Sequence, residues 1–129
     1  MMIRSPVPPP LHELETEVMQ ALWERRGSSV REIMEALNVR AARPRAYTTY
    51  MTIMTRLAGK GLLERTREGR TDFYRPVYTQ GQYTDLRAHA EVDSLVDEFG
   101  EVALGHFARQ MAQLDPRRRR ALQRLVRKR

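Results

Sequence analysis

The stretch Arg45-Ala46-Tyr47-Thr48-Thr49-Tyr50-Met51-Thr52-Ile53-Met54-Thr55-Arg56-Leu57-Ala58-Gly59 holds two faces in one run of helical period. At about 100° per residue, Tyr50, Ile53, Met54 and Leu57 share one side, at the i, i+3, i+4, i+7 spacing of a buried stripe. Arg45, Thr48, Thr52, Thr55 and Gly59 fall opposite, flanked by Thr49, Met51 and Arg56. An ordinary solvated face draws on Glu, Gln and Lys, whereas threonine is a mediocre helix former. Short hydroxyl side chains let a helix come close to a nucleic-acid groove, where they bond base edges or phosphates while arginine reaches guanine or phosphate. The alternative reading of the same face is a polar surface helix with threonines by chance. Pro44 precedes this helix, expected over about residues 45–59, and Gly61 closes it.

Toward the N-terminus, Ser29 stands three residues before Glu32, the reciprocal arrangement of a capping box. Val30, Ile33 and Leu37 then supply the buried stripe of a short helix. Before it, Leu11, Leu14, Val18, Ala21 and Leu22 recur at helical spacing, with Gly27 as the stop and the end expected near Arg25 or Arg26. The leading Pro6-Val7-Pro8-Pro9-Pro10 neither continues a helix nor pairs in a sheet, and reads as an arm ordered on contact or as a loose leader. Toward the C-terminus, residues 63–67 and 70–77 flank Glu68-Gly69, with Phe73 and Tyr74 as strand formers and Pro76 suited to an edge. This predicts a β-hairpin with Arg65, Arg67, Arg70 and Arg75 around its turn, fitted either to a sugar-phosphate backbone or simply to protecting an exposed edge. Three helices followed by a cationic hairpin is the pattern of a winged helix.

From about Thr79 the chain reads as helical again, with Leu86, Leu95, Val96, Phe99, Val102, Phe107, Met111 and Leu114 as its larger apolar residues and Gly100 as a separator. Asp115-Pro116 caps a last basic helix with Leu122, Leu125 and Val126 on one face. The expected fold class is mainly α with a small β-hairpin: a proline-rich arm over 1–10, a winged helix-turn-helix over 11–78, and a helical dimerisation region over 79–129.

Net charge is unevenly spread: +4 over residues 1–78, −4 over 79–114 and +7 over 115–129, for a total of +7 in 129 residues. A basic balance of this kind points to a polyanionic partner. Arg117-Arg118-Arg119-Arg120 with Arg124, Arg127, Lys128 and Arg129 is the strongest charge feature. Most such runs are solvated; phosphate contacts, pairing with Asp93, Asp97, Glu98 and Glu101, or attachment of 115–129 to a membrane surface are the alternatives. No run approaches the roughly 20 apolar residues of a membrane span, and the start Met1-Met2-Ile3-Arg4-Ser5-Pro6 lacks an apolar signal stretch, so a cytoplasmic location without membrane insertion is expected. The absence of cysteine excludes disulfides and thiolate chemistry. His12, His89 and His106 are far apart, with no HExxH, no Gly-rich phosphate loop and no serine elbow; Glu13, Glu15 and Glu17 suit the positive end of the first helix. Neither catalysis nor any metal or cofactor is expected.

The residues from Arg43-Pro44-Arg45-Ala46-Tyr47-Thr48-Thr49-Tyr50-Met51-Thr52 through Arg56-Leu57-Ala58-Gly59-Lys60-Gly61-Leu62 to Gly69-Arg70 and Tyr74-Arg75-Pro76 resemble the penicillinase-repressor (BlaI/MecI) family. So do Leu14-Glu15-Thr16-Glu17-Val18-Met19 with Leu22-Trp23, and Phe99-Gly100. The resemblance implies a homodimeric transcriptional repressor of inverted-repeat operators on double-stranded DNA, controlling β-lactam-response genes in several members. It maps a recognition helix to about 47–60, adding Tyr47 and Lys60 to the DNA-facing set, and a wing to about 63–76, with Arg67 and Arg70 as its contacts. Leu95, Val96, Phe99, Val102, Phe107 and Met111 become the dimer contacts. Family members are cut by a sensor protease at an Asn-Phe pair; the matching position here is His106-Phe107, with histidine in place of asparagine. A copper-responsive branch carries paired cysteines, and this chain has none, so copper sensing by that route is excluded. A winged-helix protein-interaction module and a sequence-indifferent DNA-binding protein are the alternative readings.

Overall fold

Helix starts set the frame of the first unit. In α1 (Glu13–Arg25) the Glu15 carboxylate turns back to accept the His12 amide at 2.9 Å. In α2 (Val30–Asn38) both halves of the expected capping box form: the Ser29 hydroxyl accepts from the Glu32 amide at 3.2 Å, and the Glu32 carboxylate accepts from the Ser29 amide at 2.9 Å. A third helix, α3 (Tyr47–Gly59), leads through Gly61 into β1 (Leu63–Glu68) and β2 (Thr71–Pro76). The computed structural model describes residues 7–127; the first six residues of the expected arm, and Lys128 and Arg129, lie outside the described residues.

The strands pair antiparallel from Leu63↔Pro76 to Glu68↔Thr71, so the two-residue turn is Gly69-Arg70, one residue later than the Glu68-Gly69 expected from sequence. Gly69 holds φ +66° as first loop residue, where a type II′ hairpin turn asks for glycine. Ser28 extends the ladder by exchanging both backbone hydrogen bonds with Tyr74, at 2.9 and 3.0 Å. The end of α1 falls at Arg25, as expected. The left-handed residue is Arg26 (φ 68°), not Gly27. Gly27 serves instead to let the backbone pass the hairpin, since a Cβ there would stand 3.1 Å from Cγ of Arg75.

Val18, Leu22, Ile33, Tyr50, Met54, Leu57, Leu62 and Tyr74 meet in one core between the three helices and the inner face of the hairpin. Burial of each such side chain contributes about 1.5–3 kcal/mol. Ile53, placed on the buried stripe from its spacing, lies half-buried at the edge of this core. Of the proline arm, residues 7–10 are ordered on contact: Pro8 is buried, and the carbonyls of Pro8 and Pro9 accept from Arg87 (3.2 Å) and the Tyr83 hydroxyl (3.0 Å).

The next helix, α4 (Gln80–Phe99), begins at a Thr79–Gln82 reciprocal cap and runs past the end of the first compact unit at Ala88. The second unit, from His89, comprises the rest of α4, α5 (Glu101–Ala112) and α6 (Pro116–Arg127). Gly100 separates α4 from α5 as expected, at φ 60° and ψ −136°, a conformation closed to L side chains. Asp115 caps α6, its carboxylate accepting from the Arg118 amide at 2.8 Å. Within this unit, Ala103 is the only buried residue among those described. No helix is long and apolar enough to cross a membrane, among the described residues.

Candidate nucleic-acid interface

The start of α3 is fixed by a side chain on the preceding helix. Asn38 donates from Nδ2 to the Arg45 carbonyl at 2.9 Å and accepts at Oδ1 from the Arg45 amide (3.0 Å) and the Tyr50 hydroxyl (2.8 Å). This grip holds Arg45 outside the helix, so the helix begins two residues later than its periodicity suggested. Arg45 thereby leaves the outer stripe. Its guanidinium turns toward α1 and stands 4.0 Å from the Glu17 carboxylate.

The rest of the stripe is presented as its spacing predicts. Tyr47, Thr48, Met51, Thr52, Thr55, Arg56 and Gly59 are all exposed, while Thr49 is half-buried. Unlike α2, α3 has no side-chain cap, and unlike both α1 and α2 it has no acidic residue in its first turn. Its N-terminal amides and the positive end of its dipole therefore meet no competing carboxylate from the first turn.

Lys60, at the other end of α3, is drawn inward. Its ammonium pairs with the Glu15 carboxylate at 2.8 Å, and that carboxylate is almost fully buried. Burial alone raises the Glu15 pKa; the hydrogen bond from the His12 amide and the hydrogen bond and charge of Lys60 outweigh it, so the net shift is downward. Glu15 is thus a structural anion joining α1 to α3, a role the sequence reading, which assigned it to the helix end, did not foresee.

The hairpin is less uniformly cationic than four arginines imply. Arg67 faces Asp72 across the ladder, with their charges 3.4 Å apart. Arg75 stands 3.5 Å from the Glu68 carboxylate and donates to the Thr66 hydroxyl at 3.1 Å. Exposed pairs of this kind contribute little stability, but they lower the free charge of the wing. Arg65 and Arg70 are exposed and make no ion pair among the described residues.

Arg70 closes one side of a cleft of about 360 Å³, lined by Ser29, Val30 and Arg31 at the start of α2, by Tyr47 and Met51 on α3, and by Thr71 and Asp72 of the wing. Arg31 lies over the Tyr47 ring, 5.8 Å from its centroid. The outer face of α3, the head of α2 and the wing tip therefore border one open, cation-bearing concavity. Sequence reasoning missed Arg31 and Asn38. The capping box at Ser29 was the available signal for Arg31, because it sets that residue in the first turn of α2.

In the second unit, Leu95, Phe99, Val102 and Met111 are exposed and Val96 and Phe107 half-buried; Phe99 and Val102 keep 52% and 65% of their surface accessible. His106 and Phe107 lie inside α5, the first exposed and the second half-buried, so a protease would have to open that helix to reach the bond. Among the described residues, Asp97, Glu98 and Glu101 make no ion pair with the arginines of α6, and Asp93 meets His89 at 3.1 Å.

Comparison with known proteins gives the geometry a family. The family model of the penicillinase repressor matches residues 11–128. The transcriptional regulator BlaI of Mycobacterium tuberculosis is 40% identical over 102 residues, 75% of this chain and 70% of the relative. The penicillinase repressor of Bacillus licheniformis is 28% identical over 83 residues, 64% of this chain and 62% of the relative. Among solved structures, the DNA-binding domain of the repressor BlaI superposes with a TM-score of 0.51 at 28% identity, over 59% of this chain and 90% of that one. Monomeric B. licheniformis BlaI, solved in complex with the blaP half-operator, gives 0.50 over the same shares. The family model spans all three helices, the wing and the helical tail, and on that match the chain belongs to the penicillinase repressor family.

Proposed function

We infer that this chain is a transcriptional repressor that binds operator DNA as a homodimer, with α3 in the major groove and the wing along the adjacent backbone. One observation carries the reading: Tyr47 and Met51 of α3 share a single open cleft with the cations Arg31 and Arg70, on the helix whose Thr48, Thr52 and Thr55 are exposed. Thr52 and Thr55, with Thr48 a turn earlier, read base edges; Tyr47 and Met51 fill the groove wall; Arg56 and Arg70 bind phosphate. Arg67 and Lys60, already paired within the protein, contribute orientation rather than affinity. Arg45 reaches DNA only by releasing Glu17.

Dimerisation is supported by the second unit's lack of a core. Three helices with Ala103 alone buried expose Phe99, Val102 and Leu104, and a second copy of the same surface covers them with twofold symmetry. Two recognition helices so related read half-sites one helical turn, about 34–36 Å, apart, which makes the operator an inverted repeat. β-Lactam-response genes are the first targets to test, on the strength of the family.

The test is a titration of wild type, Thr52→Ala and Arg70→Ala against operator and scrambled duplexes at several salt concentrations. Thr52→Ala should lose about 1 kcal/mol, roughly fivefold, on operator alone. Arg70→Ala should weaken both duplexes alike and flatten the salt slope by about one. Equal losses on both duplexes for Thr52→Ala would remove its base-reading role.

A further inference from the structure

All of the chain's net charge resides in its last fifteen residues: positions 1–114 balance to zero and 115–129 carry +7. In α6 six arginines stand in twelve residues with no acid between them. They divide by task. Arg119 turns back to donate to the carbonyls of Ala112 (3.3 Å) and Leu114 (3.0 Å), closing the end of α5. Arg118 borders an apolar groove of about 490 Å³ with Phe107, Met111 and Leu122.

The other four, Arg117, Arg120, Arg124 and Arg127, follow one another at steps of three, four and three residues. At about 100° per residue they fall within about 80° of one another, along roughly 15 Å of helix. All four are exposed, and none of their side chains makes a hydrogen bond or ion pair among the described residues. No structural duty within the described fold accounts for this stripe.

We propose that this arginine stripe is a second DNA contact, binding duplex phosphates without regard to sequence. A length of roughly 15 Å spans about four phosphate steps of one strand at 3.4 Å of axial rise each. Guanidinium, with its planar fork of donors, is the side chain suited to phosphate oxygens. The opposite side of α6 offers only Leu125 and Val126 as exposed large apolar residues and no aromatic, too little for stable seating in a bilayer interface. A protein partner would call for an aromatic or aliphatic anchor amid the charges, and the stripe has none. The proposal rests on the DNA-binding reading of α3 and the wing, because a chain already held there presents α6 to the duplex at high effective concentration.

The experiment compares full-length wild type with R117Q/R120Q/R124Q/R127Q and with the matching four-lysine variant, on operator and scrambled duplexes from low to high salt. Helicity and dimer state are checked for each variant. The glutamine variant should flatten the plot of log affinity against log salt by two to four, at about 0.9 per lost phosphate contact, and weaken both duplexes by the same factor. The lysine variant, keeping the charge, should retain most of the slope. An unchanged slope for the glutamine variant overturns the proposal. So does cosedimentation of wild type with anionic phosphatidylserine vesicles that the glutamine variant loses while its DNA slope stands. If the glutamine variant fails to fold, Arg124→Gln alone carries the test, with a slope change of about one expected and none overturning the proposal. Failure of the underlying reading is read separately, as equal affinity of wild type for operator and scrambled DNA.

Discussion

Asn38 is the residue on which the presentation of the recognition helix turns, and its removal has a calculable cost. Three hydrogen bonds end on its side chain, two to the Arg45 backbone and one from the Tyr50 hydroxyl. Each contributes about 1 kcal/mol net, and a buried hydroxyl left unpaired costs about 1–3 kcal/mol. Tyr50 is fully buried, so its hydroxyl finds no water in exchange. Asn38→Ala should therefore destabilise the first unit by about 3 kcal/mol, whereas Tyr50→Phe, which leaves Asn38 its two backbone bonds, should cost about 1 kcal/mol. In the double variant the orphaned hydroxyl is gone, so its loss should not exceed that of Asn38→Ala alone, giving a coupling of about 1–2 kcal/mol. Urea unfolding followed by Trp23, the only tryptophan and one anchored through Nε1 to the Tyr78 carbonyl, reports these values at a fixed protomer concentration. Strictly additive losses, or an Asn38→Ala cost below about 0.5 kcal/mol, would refute the claim that this side chain holds the 39–46 connection.

The buried Glu15–Lys60 pair makes stability pH-dependent with a defined sign. The folded pKa of Glu15 is lowered, so its contribution is complete above the ordinary glutamate range and disappears as pH falls through that lowered value. Glu15→Gln should be the less stable protein at neutral pH by about 1–3 kcal/mol, and thermal unfolding midpoints of the two should converge on acidification; a constant gap down to pH 3 would count against the assignment. In the second unit, Phe99→Glu or Val102→Glu should leave the first unit folded, convert a dimer to monomer in sedimentation velocity, and lower affinity for a full operator more than tenfold while sparing a half-site. A charged variant that sediments as a dimer would remove this face from the interface.

How much was legible depended on whether the determining contact was local. The Ser29–Glu32 box announces α2 because donor and acceptor lie three residues apart, and Gly100 ends α4 through its own backbone freedom. The winged-helix order followed from such signals, and so did the division of α3 into a packed and a hydroxyl-bearing face. Boundaries set by distant partners were misplaced. Arg45 is kept out of α3 by Asn38 across a connection that has no periodicity, and the hairpin turn falls at Gly69-Arg70 rather than Glu68-Gly69 because the strands pair as far as Glu68↔Thr71. Glu15 and Lys60 lie 45 residues apart, and the sequence assigned one to a helix end and the other to the DNA-facing set until the fold brought them together. The free cations of the wing likewise depended on register, which sets Arg67 against Asp72 and brings Arg75 to Glu68, leaving Arg65 and Arg70.

The contrast between the two units carries a mechanistic consequence for the dimer proposed above. The first unit owns a packed core; the second, with Ala103 alone buried among its described residues, would gain its apolar burial from the partner in that dimer. Phe99, Val102 and Leu104 keep 52%, 65% and 50% of their surface accessible, so covering them on both copies contributes about 5–10 kcal/mol, at about 1.5–3 kcal/mol per fully exposed side chain. Association itself costs an estimated 4–15 kcal/mol. These two quantities are close, so the dimer sits near balance, and a single opened turn or introduced charge in α4 or α5 is enough to shift it. DNA affinity inherits that sensitivity, because each monomer retains only one half-site's contacts. In the dimer proposed above, an event confined to the tail would release the repressor without touching α3 or the wing, and the separate core of the first unit would keep that unit folded.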